Sequence, residues 1–480
     1  MLFNLIIVLI IVYFTCKLYL YYIFRNKYWI WDDGAEDKRH KIDTNDLHFP
    51  AYFLWGTSSA SYQCEGYGDL GKVDSNWSDW EAKTNPETGL PRIKRGQKCG
   101  NSVDHYNRIE EDIGLMKELG CNSYRFSLAW DKIESYQGKY NEKVIQHYHH
   151  ELDQLLNQNI VPMITFHHFT HPLWFEQNGA FLNESNVAIF VKFALDMFQE
   201  YQTKCYLWCT INEPEVYVSG GYFQGMFPPG HKSKPDEASL VMKHLLEAHV
   251  RIYDNIKKIS SSSSKHQIGI VKDIFQFEPY NPLNPLDHYL ASILDNSMNS
   301  CILNFFKTGK YVWNMRGSQR LEYSNIKAIN SNDFFGLNYY SHFHVKFQFN
   351  LKQPFKLVHQ SNILMTDMSH PIYPEGIYRA CMRVRNELGN IPIYITENGI
   401  ADEADDRRHL YLRRYLYAIS KAIKDGCDIR GYYYWSLLDN FEWAEGYDMK
   451  FGLYHVDLKT QKRILRDGSK YFREVIKKYI

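Results

Sequence analysis

Two glutamates carry the clearest chemical signal in the sequence, because each follows an apolar run typical of a β-strand. Glu213 lies in an Asn-Glu-Pro motif that follows residues 205–211. Glu397 lies in a Thr-Glu-Asn-Gly motif that follows residues 391–395. Burying a carboxylate is costly, so a carboxylic acid in an apolar setting usually has a task. If the two strand ends face one another, the pair supplies the proton donor and the nucleophile or base that glycoside hydrolysis requires.

The chain that carries these motifs alternates β-rich runs with longer amphipathic segments. The pattern predicts eight strands, Phe53–Ser59, Ser123–Trp130, Val161–His168, Cys205–Asn212, Gln267–Lys272, Phe334–Tyr340, Ile391–Glu397 and Gly431–Ser436. Amphipathic segments between them predict helices, including Asn107–Leu119, Val187–Tyr201, Glu237–Ile259, Tyr373–Leu388 and Arg407–Asp425. Eight strand–helix units predict the α/β class, as a single (β/α)8 TIM barrel preceded by an N-terminal hydrophobic helix.

Polar side chains recur where the predicted strands end, which is where the active site of such a barrel lies. Six of the strands carry them, at Arg125, His168, Asn212, Glu213, Asn338, Tyr340, Glu397 and Trp435. One polar residue after a strand would indicate only a turn. Six strands that converge on one face predict a site.

The composition argues against several kinds of partner. The chain has 55 basic and 55 acidic side chains and no basic stripe, which speaks against nucleic acid binding. Its nine cysteines have irregular spacing, which is not a disulfide framework for a chain this long. Cys205 and Cys209 fall on one face of a predicted strand with no histidine nearby. They are interpreted as core thiols rather than metal ligands.

The N-terminus differs from the rest of the chain. Residues 2–16 are uncharged and rich in Ile, Leu and Val, Lys17 interrupts them, and residues 18–24 are apolar and aromatic again. About 20 such residues are enough to span a bilayer core of roughly 30 Å. No basic residue precedes the run and no small-residue cleavage site follows it. The pattern therefore favours a membrane anchor over a cleaved signal peptide or a loosely packed extension.

These features predict three segments and a location. Residues 1–24 form the transmembrane anchor, residues 25–48 a charged linker, and residues 49–480 the catalytic barrel. The predicted localisation is a single-pass membrane protein. Its orientation stays open, because basic residues after the anchor favour a cytosolic barrel, whereas glycosylation triplets at Asn76 and Asn183 favour the opposite side.

Five sequence blocks resemble the β-glucosidase family, which is family 1 of the glycoside hydrolases. The blocks are Phe53–Gly66, Tyr124–Trp130, Asn212–Pro214, Ile395–Gly399 and Trp435–Tyr447. The Asn-Glu-Pro motif alone would be a weak signal, but five blocks in order over about 430 residues are specific. The resemblance implies a β-glucosidase-like O-glycosyl hydrolase that needs no metal or cofactor. Its partner would be a small-molecule β-glycoside or oligosaccharide.

The resemblance also implies a role for each matching residue. Glu397 would be the nucleophile and Glu213 the acid/base, and Arg125, Tyr340 and Asn338 would support the nucleophile. The implied sugar-binding residues are Gln63, His168, Asn212, Trp435, Glu442, Trp443 and Phe451. Among them Asn212 would bind the sugar 2-hydroxyl, and Trp435 would stack on the pyranose ring. For Trp443 and Phe451 core packing is the alternative interpretation.

Three details refine these expectations. A separation of about 5–5.5 Å between the two carboxyl groups gives retention of configuration, and the family implies this shorter distance. Phe169-Thr170-His171 stands where the family usually has a tryptophan followed by an acidic residue, which weakens the expected recognition of the sugar 3-hydroxyl. Glu442 favours unphosphorylated glycosides, because family members acting on 6-phosphorylated sugars tend to lack that acid.

The resulting hypothesis is a retaining β-glycosidase for terminal β-D-glucosyl residues, with β-D-galactosyl and β-D-fucosyl residues as further candidates. Two alternatives remain. A membrane-tethered transglycosylase would use the same two glutamates, and a catalytically dead sugar-binding barrel would have lost one or both. The aglycone, which loops 305–324 and 342–368 are predicted to grip, and the oligomeric state are not specified by the sequence.

Overall fold

A computed structural model describes residues 2–24, 42–44, 46–260, 265–315, 318–340, 342–350, 354–359 and 363–480. Most of the predicted linker, residues 25–48, lies outside these described residues. The division of the chain at residues 24 and 48 therefore stays a prediction.

Eight parallel strands close into a barrel, in the order of the chain, with the first strand beside the last. They are β1 (Leu54–Ser58), β2 (Ser123–Ser127), β3 (Val161–His167), β4 (Leu207–Asn212), β5 (Gln267–Asp273), β6 (Phe335–Asn338), β7 (Ile393–Asn398) and β8 (Ile429–Trp435). Each strand ends within three residues of its predicted bounds. The predicted (β/α)8 TIM barrel is confirmed.

Helices surround the barrel and cover its strands. The longer ones are Ile109–Leu119, Glu142–Asn157, Asn186–Tyr201, Pro235–Ile259, Pro285–Asp295, Cys301–Thr308, Pro374–Leu388, Arg408–Lys424 and Lys470–Tyr479. The short ones are Ser61–Cys64, Asn76–Trp80, Trp130–Ile133, Leu173–Gln177 and Pro214–Val218. Local signals fix several ends. The Asn141 side chain accepts the Lys143 N–H at the start of one helix, and Gly120, with φ +88°, ends another.

Three small sheets lie outside the barrel. One contains Gln276–Pro279, His342–Phe347 and Phe355–Val358, another pairs Lys310–Trp313 with Leu321–Ser324, and the third pairs Tyr454–Asp457 with Lys462–Leu465. The second sheet and two strands of the first, His342–Phe347 and Phe355–Val358, lie in the segments predicted to be loops around the aglycone. These segments are therefore partly built from strands, which gives the rim of the barrel a defined shape.

The core has two layers, as expected for a barrel that is filled rather than hollow. Inside the barrel the described side chains pack as one cluster, with Met163, Leu207, Cys209, Val271, Phe334, Tyr394 and Tyr433 fully or almost fully buried. A larger layer lies between the strands and the helices. Cys205 and Cys209 are both buried free thiols, which agrees with their interpretation as core residues.

The N-terminal hydrophobic helix forms over Leu2–Phe24, but its predicted role in the membrane is wrong. Across the described residues, the structure offers no helix with both the length and the apolar character that a membrane crossing demands. The uncharged run ends at Lys17. As a helix, residues 2–16 are about 22 Å long, shorter than a hydrocarbon core of roughly 30 Å. The predictions of membrane anchoring and of a single-pass localisation are therefore withdrawn.

Candidate active site

Glu397 lies at the end of β7, where two side chains from other strands hold it. Arg125, from β2, donates to Oε1 at 2.6 Å, and the Tyr340 hydroxyl, just after β6, donates to Oε2 at 2.7 Å. Burial alone would lower the pKa of Arg125, but the neighbouring Glu397 carboxylate raises it, so the guanidinium remains a fixed cation. Together the two donors fix the orientation of both carboxylate oxygens.

The glycine of the Thr-Glu-Asn-Gly motif shapes the end of β7. A Cβ atom on Gly399 would lie 1.7 Å from the Trp435 carbonyl oxygen, so only glycine allows the two main chains to approach this closely. The register of β7 against both neighbours shifts between Ile395 and Asn398. Such irregularities re-aim side chains at the rim of a sheet. The motif thus positions Glu397 and Trp435 together.

Glu213 lies at the end of β4, at the start of the helix Pro214–Val218. Its backbone is left-handed, with φ 45° and ψ 64°, and its N–H donates to the Val271 carbonyl at 2.9 Å. Asn338, from β6, donates to its Oε1 at 2.7 Å. Burial, followed by the charge of Glu397, raises the pKa of Glu213 well above its usual range. The surroundings of Glu213 therefore favour its protonated form, which can donate a proton.

Asn212 connects the surroundings of the two glutamates. Its Oδ1 accepts from Arg125 at 2.7 Å and from Asn338 at 3.2 Å, and its Nδ2 donates to His168 Nε2 at 3.1 Å. Burial, with Arg125 nearby, lowers the pKa of His168 well below its usual range, so the ring is a neutral acceptor. His168 Nε2 lies 3.9 Å from Glu397 Oε1. Four predicted site residues thus form one hydrogen-bonded cluster.

Gln63 and Glu442 lie side by side in the predicted sugar-binding region. Gln63 Nε2 donates to the Phe441 carbonyl at 2.8 Å and to Glu442 Oε2 at 3.2 Å. Burial, followed by the Glu397 charge, raises the pKa of Glu442 to about 8. At neutral pH the Glu442 side chain is therefore mostly a neutral acid that can both donate and accept hydrogen bonds.

Aromatic rings enclose the same space. Trp435 and Trp443 both lie nearly parallel to the His168 ring, at centroid distances of 5.7 Å and 6.0 Å. The structure also places Phe451 against Tyr340, with ring centroids 6.2 Å apart. All twelve residues predicted for the site therefore lie in one connected region at the strand ends. Which of them touch a sugar stays a prediction.

The unusual Phe-Thr-His segment after β3 has its own supports. Phe169 has φ +65°, its carbonyl accepts from Asn76 Nδ2 at 2.9 Å, and its ring contacts Trp443 at 5.3 Å. His171 is fully buried and bonds to Glu176 at 2.8 Å. The phenyl ring therefore extends the aromatic wall, without an N–H donor for a sugar hydroxyl. Asn76 is buried and bonded, so it is no acceptor for glycosylation in the folded chain.

A group of charged residues behind Glu213 was missed by the sequence analysis. Asp273 ends β5, Lys272 precedes it, and Glu215 lies on the helix that begins after Glu213; all three are buried. The predicted strand stopped at Lys272, so Asp273 fell just outside it. A Lys-Asp pair at the carboxyl end of an apolar strand was the available signal.

One group of residues outside this cluster has the composition of a metal site. Among the described residues, Glu278, His342 and His344 place potential ligand atoms within 4.8 Å of one another. Glu278 Oε2 lies 3.9 Å from His342 Nε2 and 4.0 Å from His344 Nε2. The same carboxylate forms an ion pair with Arg379, which already supplies a positive charge. No step of the chemistry below involves this group.

Comparison with known proteins decides the family. The family model described as Glycosyl hydrolase family 1 matches residues 45–479. The chain belongs to glycosyl hydrolase family 1. It is 34% identical, over 89% of this chain and 98% of the relative, to a 1,4-beta-D-glucan glucohydrolase of Thermotoga neapolitana. It is also 31% identical, over 89% and 97%, to a 6-phospho-beta-galactosidase of Staphylococcus epidermidis.

Solved structures of the family share the barrel. A family 1 β-glucosidase from Thermotoga maritima superimposes with a TM-score of 0.80 at 31% identity, covering 90% of this chain and 99% of that one. The same β-glucosidase in complex with deoxynojirimycin superimposes with a TM-score of 0.78. As a family 1 member the chain is an O-glycosyl hydrolase. The relatives differ in substrate, so membership leaves the sugar unspecified.

Proposed function

We propose that the chain is a retaining β-glycosidase that hydrolyses terminal β-D-glucosyl residues, with β-D-galactosyl and β-D-fucosyl glycosides as secondary substrates. One observation carries the proposal. Glu213, whose surroundings favour its protonated form, and Glu397, held by Arg125 and Tyr340, lie at the carboxyl ends of β4 and β7 at one mouth of the barrel. Glu213 can donate a proton, and Glu397 presents carboxylate oxygens in a fixed orientation.

The proposed reaction has two steps. Glu397 attacks the anomeric carbon while Glu213 protonates the leaving oxygen, which forms a covalent glycosyl-enzyme and releases the aglycone. The ester removes the Glu397 charge, which is a main cause of the raised pKa of Glu213. Glu213 then accepts a proton from water as the water attacks the anomeric carbon and displaces the Glu397 carboxylate. Two inversions give net retention, and Glu213 ends protonated again.

The surroundings of Glu442 support an unphosphorylated sugar. Among the described residues, the side chains with the largest effects on the pKa of Glu442 are Glu397, Trp435, Gln63 and Glu445, and none of these four is positively charged. A 6-phosphate would need a cation or several donors to replace its water. A hydroxymethyl group needs only the amide and carboxyl groups that are present. The 4-hydroxyl can meet the same groups in either configuration, which is why galactosides are included.

Labelling with a 2,4-dinitrophenyl 2-deoxy-2-fluoro-β-D-glucoside tests the proposal. Fluorine slows both steps, while the activated leaving group lets the first proceed. Mass analysis should find one fluoroglucosyl group per chain, on the peptide that contains Glu397. Glu397→Gln should take no label, and Asp406→Asn, at an exposed carboxylate nearby in sequence, should be labelled as well as the wild type.

Two results would contradict the proposal. Label on another residue would reject the role of Glu397, and no label on a folded protein would reject a gluco-configured substrate.

The preference for an unphosphorylated sugar is tested by comparing two substrates. We expect p-nitrophenyl β-D-glucoside to be hydrolysed at least about 100-fold faster, in kcat/KM, than its 6-phosphate, a difference of about 2.7 kcal/mol.

A further inference from the structure

Asp273 places a third carboxyl group at the mouth of the barrel. Side chains two residues apart on a strand point to the same face. Val271 points into the barrel interior, so Asp273 points the same way, one layer closer to the active site. Asp273 is 4% exposed, and its Oδ1 has no hydrogen-bond partner among the described residues. It pairs in register with Asn338, the residue that donates to Glu213.

A buried ion pair fixes the backbone on both sides of Asp273. Its N–H donates to Glu215 Oε1 at 2.7 Å, and Lys272 Nζ donates to its carbonyl at 2.6 Å. Lys272 Nζ and Glu215 Oε1 are 3.5 Å apart, and both side chains are fully buried. Glu215 lies in the helix that begins directly after Glu213. The ion pair therefore fixes Glu213 and Asp273 relative to one another.

We propose that Asp273 is a positioning residue whose negative charge keeps a proton on Glu213 and so extends the activity to higher pH. This rests on the proposed role of Glu213 as the acid. Asp273 loses its proton before Glu213, because Glu397 is the main charge that raises the pKa of Glu213 but the last of those acting on Asp273, and because Lys272 opposes the effects of burial and of Glu215 on Asp273. The carboxylate so formed then opposes the ionisation of Glu213.

Both acids have a raised pKa, but different charges act on them. Burial, then Glu397 and then Asp273 raise the pKa of Glu213, whereas burial and then Glu215 raise the pKa of Asp273 and Lys272 opposes them. The charged or titratable groups that face Glu213 come from β2, β5, β7, the second residue after β6 and the helix that follows Glu213. They are Arg125, Asp273, Glu397, Tyr340 and Glu215. Only Asp273 is removed in the test.

The test measures kcat/KM against pH for phenyl β-D-glucoside, whose leaving group needs a proton. The alkaline limb of this profile reports the ionisation of the acid in the free enzyme. In Asp273→Asn and Asp273→Ser the limb should move to lower pH by about 0.5 to 1 unit, and the acidic limb should stay in place. Asp131→Asn is the matched control, because Asp131 is buried but is not among the groups that face Glu213. Both of its limbs should match the wild type.

An alkaline limb that stays in place in both Asp273 variants would overturn the proposal. Thermal unfolding shows whether either Asp273 variant fails to fold. If one does, the alkaline limb of the other variant decides the result. Labelling with the fluoroglucoside separates this result from failure of the proposed function. If the wild type is labelled at Glu397 but the limb does not move, only the role of Asp273 is wrong. If the wild type takes no label, the proposed function itself fails, and the role of Asp273, which rests on it, fails with it.

Discussion

At the scale of single residues, Arg125 explains how two distant motifs act as one site. It is fully buried and donates both to Glu397 and to Asn212, the residue before Glu213. The planar guanidinium presents several N–H groups in fixed directions, which a lysine ammonium cannot reproduce. The sequence identified Arg125 from its motif. The contact to Asn212 could not be read from the sequence, because it depends on β2 and β4 lying at the right tilt.

Removal of the Glu213 carboxyl group should separate its acid role from its base role. We expect Glu213→Ala to lower kcat/KM for phenyl β-D-glucoside by about 10³-fold, but to leave the first step nearly unchanged for a 2,4-dinitrophenyl glucoside. Azide, which fits the vacated space and needs no base, should restore turnover and yield the β-glycosyl azide. Glu213→Gln leaves no such space and should show less rescue. An α-azide product would contradict retention.

At the scale of elements, the sequence predicted those that hydrophobic patterning controls. All eight barrel strands are short apolar runs ending in polar residues, and their order follows from the βα alternation. The sheets over 310–324 and 342–358 were predicted as loops instead. Strands such as Leu321–Ser324 and Phe355–Val358 have only four residues and are partly exposed. Their pairing depends on tertiary contacts that a local pattern does not contain.

The close approach of β7 and β8 makes Gly399 a sensitive position. In Gly399→Ala the new Cβ meets the Trp435 carbonyl oxygen, so the segment after β7 and the end of β8 must move apart. We expect kcat/KM to fall at least about 100-fold, because Glu397 and Trp435 shift together. Gly114→Ala is the control, since its Cβ meets open space on a helix and should be neutral or stabilising. Wild-type activity in Gly399→Ala would show that the backbone adapts.

At the scale of the whole molecule, burial of titratable groups links stability to pH in two opposite ways. Burial lowers the pKa of several histidines, to about 3 for His249, about 2 for His342 and about 4 for His344. Burial raises the pKa of Glu442 to about 8, and those of Glu213 and Asp273 well above their usual range. The same desolvation that makes the carboxyl groups useful acids therefore sets the pH range in which the fold is stable.

The free energy of unfolding should be greatest near pH 6 to 6.5. Below about pH 6.5 the histidines bind protons in the unfolded state but not in the folded state. The free energy of unfolding therefore falls with falling pH, by about 1.4 kcal/mol per pH unit for each such histidine. Between about pH 4.5 and 8 the folded state holds the Glu442 proton that the unfolded state has lost, so this contribution disappears as pH rises through 8. The described histidines with a lowered pKa, among them His167 and His168, outnumber the described carboxyl groups with a raised pKa, so stability falls below pH 6.5. Above pH 6.5 the raised carboxyl pKa values and that of His105, which is raised to about 10, make stability fall as pH rises. Urea unfolding midpoints from pH 5 to 9 measure this curve. Glu442→Gln should flatten the alkaline side of the curve up to about pH 8 and steepen the fall in stability below pH 6.5. Stability that rises steadily up to pH 8.5 would show that these buried acids are ionised in the folded chain.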